Sequence, residues 1–176
     1  MKIRTGGPED NADILALLDA AVAWLVEHGR TGQWGSQSWS GSPARVEHVE
    51  GYARDHLLRI AEDEDGRTVG VCVLAEAPGQ YVPPADRREL YVRLLATDRS
   101  RKGSGIGAAL IADARTEAVT RGIDLLRVDC YAGDDRALVR QYEALGFTAS
   151  EAFEVPRPDS DPWPGQILEI QVRPSL

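Results

Sequence analysis

The chain has 176 residues, 43% of them hydrophobic, and carries a formal net charge of −8. This length predicts one domain, spanning residues 1–176, with one buried core. The negative charge argues against a general nucleic-acid binder, which needs a basic face to release counterions from phosphate.

The cysteines and the lack of long apolar runs predict the compartment. Cys72 and Cys130 each lie in an apolar, β-rich run, where a thiol usually serves as a small buried hydrophobe. No disulfide framework is expected, which is typical of a reducing compartment. No apolar run reaches the length of a signal core or a membrane span. We therefore expect a soluble, cytoplasmic protein without a membrane partner.

Apolar periodicity and turn residues predict strands and helices along the whole chain. In chain order, the predicted elements are a strand at 2–5, helices at 11–29 and 43–56, a hairpin of strands at 57–61 and 68–74, a strand at 90–97, a helix from 106 to 122, a strand at 125–130, a helix at 136–145, and a hairpin of strands at 147–155 and 166–172. The order strand, helix, strand across residues 90–130 implies a parallel crossover.

A polar connection at residues 29–42 is rich in Gly and Ser and nevertheless carries Trp34 and Trp39. Loops of this length without structure of their own are uncommon, and are often functional lids or disordered linkers. The two tryptophans argue against pure disorder.

A glycine loop precedes the helix predicted to start at residue 106. It reads Lys-Gly-Ser-Gly-Ile-Gly over residues 102–107, and the cations Arg99, Arg101 and Lys102 cluster at its start. Alternating glycines let the backbone approach a ligand closely and leave the first helix amides free for an anion. In an acidic chain, this is the one place suited to capturing a phosphate.

Other interpretations of this loop are weaker. Gly103, Gly105 and Ala108, with Asp129 about 20 residues further on, also match the dinucleotide-binding fingerprint. In that fold the strand turns directly into the first glycine, whereas residues 98–102 intervene here, and the remaining chain is too short for a doubly wound sheet. A nucleotide P-loop is excluded because no Gly-Lys-Ser or Gly-Lys-Thr ends the loop. A purely structural turn stays open, since glycines are common at helix starts.

A second constellation lies at residues 134–147, which read Asp-Asp-Arg-Ala-Leu-Val-Arg-Gln-Tyr-Glu-Ala-Leu-Gly-Phe. Together with the glycine loop, this segment resembles the acetyl-CoA motif of the GNAT acyltransferases: strand, basic residue, two spacers, Gly-x-Gly, helix, strand, then Asn, Tyr-Glu and Gly-Phe. The resemblance is strong over residues 90–147 and extends to the flanking elements by order only. Lys102 stands where Arg or Gln is usual, and Asp135 stands where Asn is usual. Lys keeps a cation without the fork of Arg, and Asp keeps an acceptor without the amide donors.

The resemblance implies an α/β (α+β) GNAT fold. This is a mixed, mostly antiparallel sheet of roughly six to seven strands with about four helices and a splayed central parallel pair. It also implies acetyl-CoA, and hence coenzyme A, as the co-substrate, with no metal needed. The implied cofactor-binding residues are Leu95, Ala96, Thr97, Lys102, Gly103, Ser104, Gly105, Ile106, Gly107, Ala108, Asp135 and Leu138.

The family mechanism implies direct attack of a neutral amine on the thioester in a ternary complex. The backbone amide near Leu95 or Ala96 would stabilise the oxyanion, and Tyr142 would protonate the departing thiolate. An aromatic packing role for Tyr142 is the alternative. Glu89, just before the fourth strand, is the first choice for the general base, although an exposed Glu there is usually only a solvated charge. If Glu89 is not the general base, Asp129 or water would take that role.

The implied partner is a small-molecule or peptide amine, which Trp34, Trp39 and Tyr81 would contact through their aromatic faces. These side chains are equally suited to covering the edge of the core. The sequence is compatible with a homodimer. Two other hypotheses stay open, a catalytically silent acyl-CoA sensor and a dinucleotide oxidoreductase.

Overall fold

The computed structural model describes residues 1–172, and in this range every predicted element is present. The strands are β1 (Lys2–Thr5), β2 (Leu57–Glu62), β3 (Thr68–Ala75), β4 (Leu90–Thr97), β5 (Leu125–Tyr131), β6 (Thr148–Val155) and β7 (Trp163–Gln171). The helices are α1 (Asn11–Glu27), α2 (Pro43–Asp55), α3 (Ile106–Thr120) and α4 (Ala137–Ala144), with short 3₁₀ turns at Pro8–Asp10, Arg99–Arg101 and Asp134–Arg136. The largest difference from the prediction is at β7, which begins at Trp163 rather than at residue 166.

The strands form one seven-stranded sheet in the order β1-β2-β3-β4-β5-β7-β6. β4 and β5 are parallel, and α3 forms the predicted crossover between them. Their register joins Leu90–Val92 to Leu126–Val128, whereas β4 continues to Thr97. The pairs β1–β2, β2–β3, β5–β7 and β6–β7 are antiparallel. The mixed sheet with one central parallel pair confirms the predicted fold class.

Two compact units make up the described chain. The first comprises Met1–Leu74 and Leu94–Asp113, and the second comprises Ala75–Arg93 and the chain from Ala114 onward. The prediction of a single domain stays a prediction. The core of the first unit is built from α1, α2, β2, β3, β4 and the connection between α1 and α2. Its residues are Ile14, Leu17, Leu18, Val22, Trp39, Val49, Tyr52, Leu58, Ile60, Val71, Val73, Leu94 and Ala96. In the second unit, Val82, Tyr91 and Ile167 form a smaller cluster with Phe153 packed against it.

Both cysteines are buried and unpaired, which confirms their predicted role as small hydrophobes. Burial raises the pKa of the Cys72 and Cys130 thiols to about 12. Among the helices of residues 1–172, none has the length and apolar character needed to cross a membrane.

Gly70 in β3 allows α3 to pack directly on the sheet. A Cβ at this position would lie 2.7 Å from Cγ2 of Ile106 and 3.0 Å from Cδ1 of Leu110. Ile106 and Leu110 are both buried and lie one turn apart at the start of α3. The missing side chain therefore fixes the position of the first turn of α3, which directly follows the glycine loop.

We expect Gly70→Ala to lower the free energy of unfolding by about 1–3 kcal/mol, because the added methyl would overpack the contact with Ile106. Urea denaturation measures the change. The matched control is Gly51→Ala in α2, where the nearest atom is the flexible end of Arg54, 3.3 Å away. The control should be neutral or stabilising, since Ala favours helix over Gly. Equal unfolding midpoints for Gly70→Ala and the wild type would contradict the close approach.

Candidate active site

The end of β4 is anchored before the glycine loop begins. The amide of Asp98 donates a hydrogen bond to the carbonyl of Val69 in β3 at 2.8 Å. The Asp98 carboxylate then accepts the amide of Ser100 at 3.0 Å and caps the 3₁₀ turn. The guanidinium of Arg101 bonds Asp63 at 2.8 Å and Asp98 at 3.3 Å. These contacts hold the turn rigidly and pair one of the three predicted cations with carboxylates.

The glycine loop presents an open backbone surface. Gly103 and Gly105 have φ values of 86° and 80°, a conformation that side-chain-bearing residues rarely adopt. Apart from the adjacent backbone, no heavy atom of the described chain lies within 4 Å of the position that a Cβ would take at Gly103, Gly105 or Gly107. The first amides of α3 have no acceptor within the helix. The open glycines and these helix-start amides together form a surface that suits an anion.

A cavity of about 570 Å³ lies beside this loop. Lys102, Gly103 and Ser104 line one part of it, and the acidic Asp63 and Glu64 line another. The backbone amide of Arg67, followed by that of Asp65 and by Arg101, holds the pKa of Asp63 below its usual range. Within residues 1–172, Lys102 has no hydrogen-bond or ion-pair partner, so it is the cation in this cavity that stays available.

The other predicted cofactor residues of the first unit lie at the end of β4 and at the start of α3. Leu95 and Thr97 are half-buried and Ala96 is buried. Ile106 is buried beneath the loop, whereas Ala108 is exposed. Their contacts with coenzyme A stay predictions.

In the second unit, Asp135 lies in a left-handed turn. Asp134, Asp135 and Arg136 have φ values of 53°, 59° and 62°. Asp and Asn tolerate this conformation better than most residues, so backbone geometry alone can account for an Asp or Asn at position 135. The carbonyl of Asp135 accepts a hydrogen bond from Arg140, which secures the turn.

Tyr142 in α4 is buried, with 8% of its surface exposed. Its ring packs edge-on against Phe147 with 5.7 Å between the centroids. Leu138, one turn earlier, is half-buried. The packing interpretation of the ring is therefore confirmed, while a catalytic role of the hydroxyl stays a prediction.

Glu89 is not the exposed residue that its position before a strand indicated. It is 3% exposed. Its Oε1 accepts from Arg127 at 2.8 Å, and its Oε2 accepts from the amide of Ala85 at 2.6 Å. The expectation of a solvated charge is wrong because Arg127, 38 residues away, neutralises Glu89 in the interior. Both carboxylate oxygens serve structural bonds, and the catalytic role remains untested.

Asp129 in β5 has a different environment. The hydroxyl of Tyr91 donates to its Oδ2 at 2.6 Å. Burial raises the pKa of Asp129, while the Tyr91 hydrogen bond and the charges of Arg93 and Arg127 oppose the increase. The sequence makes Asp129 the second choice of base, and no motif in it indicates Tyr91 as the partner of Asp129. The parallel crossover was the available signal, since it brings β4 and β5 side by side.

Comparison with known proteins identifies the family. The family model for "Acetyltransferase (GNAT) family" matches residues 23–147. This chain belongs to the GNAT acetyltransferase family. Over 147 residues it is 26% identical to the uncharacterized N-acetyltransferase YesJ of Bacillus subtilis, covering 79% of this chain and 77% of the relative.

Solved structures show the same GNAT fold. yncA of Salmonella typhimurium, solved with acetyl-CoA, has a TM-score of 0.68 at 18% identity and covers 100% of this chain and 96% of its own. A ribosomal-protein-alanine N-acetyltransferase from Brucella melitensis has a TM-score of 0.68 at 20% identity, covering 97% and 99%. The family and the antiparallel pairs β1–β2, β2–β3, β5–β7 and β6–β7 exclude the dinucleotide oxidoreductase, whose sheet is mostly parallel.

The aromatic residues predicted to contact an acceptor differ in exposure in this GNAT chain. Trp39 is 9% exposed, and its amide is held by Asp19 at 2.7 Å. Trp34 packs edge-on against it with centroids 5.7 Å apart. Tyr81 is 49% exposed. Trp39 therefore covers the core, and acceptor contacts by all three stay predictions, as does a homodimer.

We expect Gly105→Ala to weaken coenzyme A binding by at least about tenfold, because a methyl would stand where a phosphate must approach the amides. Calorimetry measures the affinity. Gly122→Ala is the matched control, since Gly122 ends the same helix with a φ of 69° and equally open surroundings. Both variants carry similar backbone strain. If both variants, or neither of them, lost affinity for coenzyme A, the glycine loop would not be the phosphate site.

Proposed function

We propose that this GNAT chain transfers an acetyl group from acetyl-CoA to a primary amine of a small molecule or peptide. The observation that carries the proposal is the open glycine loop at the start of α3, with two glycines at positive φ and Lys102 beside them. Helix-start amides and a free ammonium group suit the phosphates of coenzyme A. Two similar folds, yncA and a phosphinothricin acetyltransferase from Sinorhizobium meliloti, were solved with acetyl-CoA.

When bound, acetyl-CoA supplies a thioester carbonyl that an amine can attack. Gly103, Gly105 and Gly107 leave room for the phosphates because nothing fills the positions above them. The backbone amide of Leu95 or Ala96 would stabilise negative charge on the carbonyl oxygen. The hydroxyl of Tyr142 would donate a proton to the leaving sulfur. No group of three or more His, Cys, Asp or Glu side chains within residues 1–172 is placed to hold a metal ion.

For the general base we favour Asp129 over Glu89. A carboxylate can serve as the general base only if it is able to accept a proton near neutral pH. Glu89 is committed through both oxygens to Arg127 and Ala85. Asp129 is half-buried, accepts a hydrogen bond from the Tyr91 hydroxyl, and has a raised pKa, which suits proton transfer.

The deciding experiment measures free thiol release from acetyl-CoA with a panel of primary amines. Turnover with at least one amine, together with the N-acetylated product by mass spectrometry, is the expected result. Coenzyme A binding without turnover for any amine would favour the acyl-CoA sensor. Absence of coenzyme A binding at millimolar concentration would overturn both functions.

We expect Tyr142→Phe to lower turnover by roughly 10²-fold to 10⁴-fold with little change in acetyl-CoA affinity, if the hydroxyl is the general acid. The fold should survive because the ring that packs on Phe147 is kept. Steady-state kinetics and calorimetry measure the two quantities. Tyr52→Phe is the control, since Tyr52 is a buried helical tyrosine with an aromatic neighbour, His48, at 4.9 Å. If Tyr142→Phe retains most of the wild-type turnover, Tyr142 is not the general acid.

We expect Asp129→Asn to remove the acid limb of the pH profile of kcat/KM and to lower its plateau by about 10²-fold or more. A base works only when deprotonated, so wild-type activity should fall as pH drops through the pKa of Asp129, which burial places above the usual Asp value. Glu89→Gln should instead lower the melting temperature, because Arg127 loses its buried carboxylate. An unchanged acid limb in Asp129→Asn would exclude it as the base.

A further inference from the structure

Arg99 lies in the 3₁₀ turn before the glycine loop, and its side chain lies against α1. The guanidinium carbon is 4.4 Å from the centroid of the Trp24 indole. The His28 imidazole stacks on the same indole with centroids 3.9 Å apart and planes 21° apart. Arg99 and Trp24 are half-buried. The aromatic surface therefore holds a cation in a fixed position that water only partly reaches.

A second arginine lies close to the first. Arg30 directly follows the end of α1, and its amide bonds the carbonyl of Leu25 at 2.8 Å. Its side chain is also half-buried. Burial lowers the pKa of Arg99, and the charge of Arg30 lowers it further. Both guanidinium groups nevertheless stay charged at neutral pH, so two like charges repel each other with reduced solvent screening.

These two arginines lack the carboxylate partners that several other arginines of the chain have. Neither Arg30 nor Arg99 has a side-chain hydrogen bond or ion pair to any residue of 1–172. Four arginines with at most 30% of the side chain exposed bond carboxylates: Arg4 with Asp10 and Glu62, Arg59 with Asp113, Arg121 with Glu117, and Arg127 with Glu89. Half-buried Arg45 instead bonds the carbonyls of Gln37 and Trp34. The chain has 28 acidic residues, yet these two half-buried guanidinium groups have no carboxylate partner within residues 1–172. An anionic ligand would supply that partner.

We propose that Arg99 and Arg30 bind an oxyanion, a carboxylate or phosphate group, carried by the amine acceptor, with Trp24 holding Arg99 in place. The inference rests on the proposed acetyltransferase function and names its substrate class as an acidic amine. Guanidinium groups recognise such oxyanions through paired hydrogen bonds.

The phosphates of coenzyme A are the other source of oxyanions, and the geometry disfavours them. The cavity at the glycine loop is lined by Arg101 and Lys102, and the residues that line it include neither Arg99 nor Arg30. Arg99 lies on the Trp24 side of the 3₁₀ turn, whereas Arg101 lies on the Asp63 side. Arg30 opens the segment that carries Trp34 and Trp39, the predicted acceptor contacts.

The first test measures anion binding and does not depend on turnover. Inorganic phosphate, at constant ionic strength set with chloride, is titrated into the protein with and without saturating coenzyme A, and the melting temperature is recorded. The wild type should be stabilised under both conditions. The deciding condition is saturating coenzyme A, which occupies the glycine loop. There Arg99→Gln should lose the stabilisation, Arg99→Lys should keep part of it, and the control Arg54→Gln, at an exposed residue, should keep all of it. With coenzyme A bound, no stabilisation of the wild type, or full stabilisation of Arg99→Gln, would overturn the site.

The second test compares acceptors that differ only in the anion. Each of a set of amino acids is paired with the amine that lacks its carboxylate, and kcat/KM is measured for each pair. The wild type should prefer the acidic member by roughly 10-fold to 100-fold, and Arg99→Gln should abolish the preference through KM. Equal rates within the wild-type pairs would overturn an acidic acceptor.

The affinity for coenzyme A separates the remaining outcomes. It should be unchanged in Arg99→Gln, and a tenfold loss would reassign Arg99 to the phosphates of coenzyme A and overturn the proposal. Failure of every amine to react would refute the proposed acetyltransferase activity. The phosphate titration would then still decide whether Arg99 and Arg30 form an anion site.

Discussion

The contact between Gly70 and the first turn of α3 is the constraint on which the candidate phosphate site depends. Because no Cβ separates them, Ile106 and Leu110 pack directly on β3. The Asp98–Val69 hydrogen bond anchors the other end of the connection. Between these two fixed points the chain takes positive φ at Gly103 and Gly105, a conformation that glycine adopts most readily. The same glycines leave the helix-start amides open, so one packing constraint produces both the turn and the anion surface.

Ion pairing decides which cations remain free for ligands. The sequence places Arg99, Arg101 and Lys102 together, as if all three served one phosphate. Arg101 is neutralised by Asp63 and Asp98 and stabilises the turn, while Arg99 lies on Trp24. Of these three cations, only Lys102 is exposed, beside the loop and without an ion-pair partner among residues 1–172. The three neighbouring cations therefore have different environments. Arg101 stabilises the turn, Arg99 is available to a second ligand, and Lys102 lies beside the candidate phosphate site.

The sequence predicted the features that depend on local pattern. Periodicity predicted the strands and α-helices between residues 1 and 172, though not the 3₁₀ turns, because burial of one helix or strand face repeats at short intervals. The glycine loop was visible because turn chemistry is local. The pairs Glu89–Arg127 and Arg101–Asp63 were not predicted, since each joins residues 38 positions apart. The left-handed turn at residues 134–136 was also missed, because without a glycine no residue type there demands positive φ.

Burial keeps the pKa of Asp129 above its usual value although nearby cations oppose the increase. Arg127 and Asp129 are two positions apart in β5 and so point to the same face. Arg127 bonds Glu89 at 2.8 Å, and burial raises the pKa of Asp129 more than the charge of Arg127 lowers it. Tyr91 contacts both residues of this face, since its ring centroid lies 5.7 Å from the Arg127 guanidinium carbon and its hydroxyl bonds Asp129. Glu89, the residue first expected to be the base, therefore holds a cation on the strand face of Asp129, the base that we propose instead.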